Sequence, residues 1–236
     1  MLNFIVKPIL DFLMFLSGIV PGHDLGVVII LLTIIMRIVL YPLSKHSIRA
    51  QARMSSFKDQ IKEIQTKYKT KEEQSRELMK FYKENKINPF SGCLPLVVQF
   101  LVLIALYRAF ITIFNTPNES INYIFLGFLN LSKKNVVLAV LTGISQLFAS
   151  MLAMKRTASM PQPGVSDKAA QMQKGLTRQM TYVLPVLTVF IAINLPSGLA
   201  FYWVVSTVLG LAQDYYLYKK FTPQQGTSGI QAAHKT

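Results

Sequence analysis

Cysteine is all but missing from this sequence. Cys93 stands alone among 236 residues, so no disulfide can form within the chain and thiol usage does not report its redox compartment. No Cys-x-x-Cys pair occurs and the three histidines, His23, His46 and His234, lie far apart, so no metal site is predicted. Acids are scarce too: 11 Asp and Glu against 25 Lys and Arg, a formal charge of +14. No G-x-x-x-x-G-K-[ST] loop is present, which removes the nucleotide-driven motors built on it. Nor is there a Ser/His/Asp constellation or a pair of carboxylates or histidines inside an apolar run, so intramembrane proteolysis and proton pumping lack their groups. The reading is a non-enzyme that needs no cofactor.

What the sequence does have is long apolar runs separated by basic stretches. Half the residues are hydrophobic, 51%, and they fall in blocks, the distribution of a polytopic membrane protein. The positive charge suits nucleic acid or an anionic membrane face. Because the cations abut the apolar runs, the membrane reading is preferred. The run at 26–43, GVVIILLTIIMRIVLYPL, organises the rest: it is 18 residues long with a single charge, Arg37. At about 1.5 Å per residue it just spans a hydrocarbon core of about 30 Å. An arginine within it costs about 3 kcal/mol on insertion scales unless water or a partner reaches it.

In chain order, 1–20 is apolar but carries Asn3, Lys7 and Asp11 along one helical face, with Ile5, Ile9, Phe12, Leu13 and Leu16 on the other. An amphipathic helix lying in the outer membrane interface is expected, in preference to a cleaved signal or an extra span. Pro21-Gly22-His23-Asp24 breaks it before the first span at 26–43. Residues 44–88 hold twelve of the 25 basic residues against six acids. Met54, Phe57, Ile61, Ile64 and Tyr68 follow a 3-4-3-4 spacing, with Leu78, Phe81 and Tyr82 beyond a basic turn at 67–71, which predicts a cytoplasmic antiparallel helical hairpin. Further spans are expected at 94–114, 136–153, 180–195 (bent at Pro185) and 199–217. They are joined by a polar-aromatic connection at 115–134, in which 121–129 rests on the outer surface, a cytoplasmic loop at 154–179 and a tight turn at 194–198. A short disordered cytoplasmic tail follows at 218–236. The fold class is all-α: five transmembrane helices, an N-terminal interfacial helix and a cytoplasmic hairpin.

Segments 44–88 and 154–179 together hold seventeen Lys and Arg, while 115–135 holds two, Lys133 and Lys134. The positive-inside rule then puts the N-terminus outside and the C-terminus in the cytoplasm. Thr33 lies one turn from Arg37 on the same face. Gln99, Gln146, Thr181, Thr188, Ser206 and Thr207 add polar groups on other spans. Each alone reads as an interhelical hydrogen bond; with an arginine among them they suggest a wet indentation. The nearest acid in a span is Asp214, near the inner end of the fifth, so Arg37 is expected to lack a fixed ion-pair partner and to stay available to something transient. Snorkelling of Arg37 to the headgroups is the competing explanation.

Three stretches in three different spans carry a resemblance. Thr33-Ile34-Ile35-Met36-Arg37 runs to Tyr41-Pro42-Leu43. Asn88-Pro89 is followed by Gly92-Cys93-Leu94-Pro95-Leu96, and Pro196-Ser197-Gly198-Leu199 by Tyr202-Trp203. In order and spacing the chain resembles the YidC-type membrane protein insertases of the YidC/Oxa/Alb family in their short, five-span form. The resemblance implies an insertase and chaperone of the bacterial plasma membrane, with a groove open to cytoplasm and lipid and closed outside. On that basis Arg37 is the groove arginine, and Gln146 and Trp203 match the family's groove glutamine and aromatic position. Thr33, Tyr202 and Trp203 match positions that meet the client's transmembrane segment, and Gln99 joins them in the predicted groove. The implied partners are nascent membrane proteins, the ribosome or signal-recognition receptor at the basic loops, a Sec-type translocon, and the lipid bilayer. Gram-negative members carry a large folded domain between their first apolar helix and the next, and none lies here. After Phe221 the basic residues are only His234 and Lys235, so the basic loops, not a long basic tail, are expected to meet the ribosome.

Two other classes compete: a small transporter or channel using the same polar interior, and a structural subunit in which Arg37 snorkels. The first often carries inverted repeats with broken helices, and no such repeat is legible here.

Overall fold

The computed structural model describes residues 3–68, 70–85, 94–116, 121–157 and 167–221. Helix α1 (Asn3–Ile19) leads through a 3-10 turn (Pro21–His23) to α2 (Leu25–Val39), α3 (Tyr41–Ser56), α4 (Lys58–Lys67), α5 (Lys71–Glu84) and α6 (Leu94–Asn115). Strands β1 (Ile124–Phe125) and β2 (Leu129–Asn130) precede α7 (Val136–Thr157), α8 (Asp167–Asn194) and α9 (Ser197–Phe221).

The polar side of α1, Lys7 and Asp11, is exposed while Leu13 and Leu16 are buried. These leucines join Leu25, Val28, Ile29 and Leu32 of α2, Leu106 and Phe110 of α6, and Leu199 and Tyr202 of α9 in one core. Close packing of these side chains is what holds α1 to α2 and α6. Asp24 then caps α2: its Oδ1 accepts from the amides of Gly26 at 2.8 Å and Val27 at 3.3 Å.

The expected span at 26–43 is not one straight helix. α2 stops at Val39, and α3 leaves at a 57° bend. Pro42 explains the break: it has no N–H to give the Ile38 carbonyl, and it suits the first turn of a new helix. The first part of 44–88 is therefore α3, whose buried Ser47, Ile48 and Ala52 lie on the side packed mainly on α9. Only α4 and α5 fold back on each other. Ile61, Leu78 and Tyr82 are buried between them with Met54, and Phe57 meets the edge of Phe81 at 5.5 Å. Thr70 caps α5 through the Glu73 amide, and Gln74 Nε2 donates to the carbonyls of Gln65 (2.8 Å) and Tyr68 (2.7 Å) across the turn.

The all-α expectation misses a small sheet. β1 and β2 pair antiparallel with Ile124 opposite Asn130, inside the stretch expected to be a polar-aromatic connection. Leu126 (φ 50°) and Gly127 (φ 81°) form the turn, closed by the Phe128 amide on the Phe125 carbonyl. Two positive φ values in sequence match the twist of a hairpin, and glycine takes one of them without strain.

α8 begins at Asp167, so 167–179 is helical where a loop is expected. The Pro/Gly signals behind that expectation fall at 161–164, outside the described residues. Also outside lie Asn88-Pro89, Gly92-Cys93 and the tail from 222; residues 218–221 belong to α9. By length and apolarity, α6 (over Val98–Asn115) and α7 (over Val136–Met154) can cross a membrane. The bent pair α2–α3 makes up to three spans, and Thr181–Asn194 of α8 is a shorter apolar helix. α9 falls short of that test, diluted by Ser206, Thr207, Gln213 and Asp214.

A polar recess around Arg37

Thr33 and Arg37 face one way on α2, and the packing of α2 on α9 brings that face against Tyr202 and Ser206. α6 contributes Gln99, and α3 contributes Ser44. These six polar residues and the apolar side chains of Met36, Leu40, Leu43, Val98 and Val102 line a cavity of about 30 Å³. That is room for about two waters with polar partners.

Hydrogen bonds tie three helices together around it. Arg37 Nη2 donates to the Ser206 carbonyl and, at 3.0 Å, to Ser206 Oγ. Gln99 Nε2 donates to the Tyr202 hydroxyl at 3.0 Å and to Ser206 Oγ at 3.5 Å. Thr33 spends its hydroxyl on its own helix, donating to the Ile29 carbonyl at 2.6 Å. Tyr202 is 2% exposed, so the wall behind the arginine is solid. Arg37, expected to lack a fixed ion-pair partner, is thus held by hydrogen bonds to neutral oxygens on α9.

Arg37, Thr33, Gln99 and Tyr202 thus meet at one recess, whereas Gln146 and Trp203 do not line it. They pair with each other, Trp203 Nε1 donating to Gln146 Oε1 at 3.4 Å between α9 and α7. Successive residues on a helix point about 100° apart, so Tyr202 and Trp203 cannot serve the same face. Thr181 and Thr188 are also elsewhere, bonded to Met154 Sδ and to the Leu184 carbonyl. Ser206 is the residue that sequence reasoning underrated. Its spacing of four from Tyr202 was the available signal.

The N-terminal ends of α2 and α9 are tied to the 121–131 stretch. The Leu25 amide donates to the Asn122 carbonyl (2.9 Å) and the Asn122 amide to the His23 carbonyl (3.0 Å). Asp24 Oδ2 accepts from the Leu126 amide at 3.0 Å. At the start of α9, Ser197 Oγ donates to the Asn130 carbonyl (2.8 Å) and the Gly198 amide to that of Leu131 (2.8 Å). Phe125 packs on Gly26 and on the Phe201 ring at 4.9 Å. This strand end joins three separate loops, and the recess lies beyond it, at the C-terminal part of α2 and the middle of α9.

Large apolar side chains also point outward: Val137 is 68% exposed, Val186 70% and Phe190 68%. Such faces belong in lipid, not water. The class defined is a helical membrane protein with a polar, arginine-bearing recess between its helices and a hydrogen-bonded set of loops at the N-terminal ends of α2 and α9. A family model described as 60Kd inner membrane protein matches residues 15–225, and the chain belongs to that family, the YidC-type insertases.

Among relatives, the chain is 34% identical over 201 residues to "Membrane protein insertase YidC 1" of Lactococcus lactis, covering 83% of this chain and 69% of that one. It is 33% identical over 202 residues to "Membrane protein insertase YidC" of Clostridium tetani, covering 84% of each. The protein of that name from Haemophilus influenzae is 31% identical over 220 residues, but there the match covers 92% of this chain and only 37% of the relative. A crystal structure titled "Active YidC insertase crystal structure with the first transmembrane domain resolved" is similar with a TM-score of 0.62 at 26% identity. The match covers 91% of this chain and 46% of that one.

Proposed function

We propose that the chain is a membrane protein insertase and chaperone. It moves polar residues of a client across the hydrocarbon by way of the Arg37 recess, without hydrolysing nucleotide. The observation that carries this reading is the asymmetry just described. Arg37, Gln99, Tyr202 and Ser206 surround a recess at the C-terminal part of α2 and the middle of α9, while the N-terminal ends of those two helices are tied together by hydrogen bonds. With the basic stretches 44–88 and 154–179 inside, the recess opens to the cytoplasm, the strand end lies outside, and five spans place the N-terminus out and the C-terminus in.

A cation in low dielectric surroundings draws acidic or polar tails of an incoming chain. A water-filled recess reaching part-way through the bilayer shortens the apolar path those residues must cross. The client's own apolar segment then slides out along lipid-facing helices, and its burial in lipid drives the step. In this reading Arg37 and Gln99 meet the client, Thr33 and Tyr202, both buried, form the wall behind them, and Trp203 of α9 with Gln146 of α7 offers a separate contact. Nascent membrane proteins are the clients. The ribosome or signal-recognition receptor docks on the basic loops, and a Sec-type translocon works alongside in the plasma membrane. A channel needs a path through both ends, which the tied strand end opposes.

The test is reconstitution in liposomes with a small single-span client bearing an acidic N-terminal tail. Insertion is expected from the wild-type protein, a loss of about tenfold for Arg37→Ala (the scale of one charge-assisted contact), and substantial retention for Arg37→Lys. Equal insertion by wild type and Arg37→Ala removes the electrostatic step. Solute flux without insertion replaces the reading with a channel, and neither activity leaves a structural subunit.

A further inference from the structure

Gly210 lies on α9 one turn beyond Ser206, directly beneath the Arg37 guanidinium. A Cβ built on it would stand 2.6 Å from Arg37 Nη2 and 2.9 Å from both Nη1 and Cζ. No side chain fits there while the guanidinium keeps its place. A helical side chain leans back over the turn before its own Cα, so any group at 210 would also cover the Ser206 carbonyl. That carbonyl is an acceptor that Arg37 Nη2 uses, with Ser206 Oγ beside it at 3.0 Å.

Nothing in the backbone asks for glycine at 210. The residue is in the middle of a 25-residue helix, and the positive-φ glycines are Gly22 and Gly127. Glycine is also a poorer helix former than alanine, so helix stability alone disfavours it. The nearest contact a side chain there would meet is the arginine.

We infer that Gly210 is a positioning residue: it is the seat that lets the Arg37 side chain lie flat on α9 and hold Ser206, so that the recess presents its charge from a fixed wall. This rests on the insertase reading for its functional consequence but not for its geometry. The neighbour that must yield is the far end of a flexible side chain. A substitution is therefore expected to move the arginine without unfolding the bundle.

The experiment compares wild type, Gly210→Ala, Arg37→Ala and the double variant as full chains. Three quantities are read: insertion of the acidic-tailed client in liposomes, thermal unfolding in detergent, and the rate at which an arginine-specific dicarbonyl modifies Arg37, followed by peptide mass. Gly210→Ala is expected to keep or raise its Tm, to lower insertion towards the Arg37→Ala level, and to make Arg37 several-fold more reactive. In the Arg37→Ala background the same change should have no further effect, because the two residues act as a unit. Wild-type insertion by Gly210→Ala with unchanged Arg37 reactivity overturns the inference, as does an equal added loss in the Arg37→Ala background. If Gly210→Ala does not fold but the double variant does, the seat is supported, since removing the guanidinium removes the clash. If neither folds, glycine serves helix packing and the seat is wrong. A wild-type protein that inserts nothing defeats the insertase reading, while the modification rates still decide the seat.

Discussion

Gly26 and Gly210 are both pressed by a side chain from another element, one at the strand end and one at the recess. At Gly26 the neighbour is the Phe125 ring, itself packed on Phe201 at 4.9 Å and carried by strand β1, which pairs with β2. At Gly210 it is the tip of the Arg37 side chain, whose bonds chain α2 to α9 and, through Ser206 and Gln99, to α6. The same kind of close approach therefore serves two ends. The contact at Gly26 reaches back to Phe125 Cβ, which can step aside only if the strand moves, so this glycine is a matter of stability. A guanidinium on a flexible stem can move, so the recess glycine is a matter of where a charge sits.

That contrast can be broken or sharpened by measurement. The largest effect on stability is expected at Gly26→Ala, whose Cβ would overlap the Phe125 ring and lie 2.8 Å from Phe125 Cβ. Overpacking of this kind costs about 1–3 kcal/mol and should lower the Tm in detergent, where Gly210→Ala does not. Equal Tm values for the two variants would dissolve the distinction. Asp24→Ala comes next, at about 1–2 kcal/mol, because it removes both the cap of α2 and the tie to Leu126. Hydrogen exchange should quicken at the 121–131 amides, and Asp24→Asn, which keeps an acceptor oxygen, should do less. Tyr202→Phe follows at the recess, where it deprives Gln99 of its hydroxyl partner for about 1 kcal/mol. Client insertion should fall more than thermal stability, the reverse of the Asp24 pattern.

The smallest effect lies outside both regions, in the α4–α5 pair. Burial raises the Tyr82 phenol above its ordinary 10.0, so the folded pair favours the neutral form. Its contribution is complete below about pH 10 and is lost as the pH climbs through the raised value. Circular dichroism of the full chain should show a small alkaline loss of helix, and Tyr82→Phe should abolish it. Loss of the same size in Tyr82→Phe would place the titrating group elsewhere.

Several elements were legible without coordinates because they depend on short-range periodicity. The amphipathic face of α1, the apolar seam that α4 turns to α5, and the joint position of Thr33 and Arg37 all follow from 3.6 residues per turn. Turn chemistry was harder to read. Pro42 ends α2 at Val39 although the apolar run continues to Leu43, because a missing amide outweighs hydrophobicity. The β hairpin depends on two left-handed residues, Leu126 and Gly127, and leucine gives no warning of that conformation.

The amino-acid sequence by itself determined a helical membrane protein with an arginine on its first long apolar helix, and the motifs that assign its family. Only the tertiary structure decided which polar groups share that arginine's recess: Ser206 with Gln99 and Tyr202 do, while Gln146 with Trp203, and Thr181 and Thr188, do not. The reason is geometric. Helical periodicity says which residues share a face, but which face meets which neighbour is set by how whole helices pack, and a missing Cβ at 210 acquires meaning only when a guanidinium comes to rest on it.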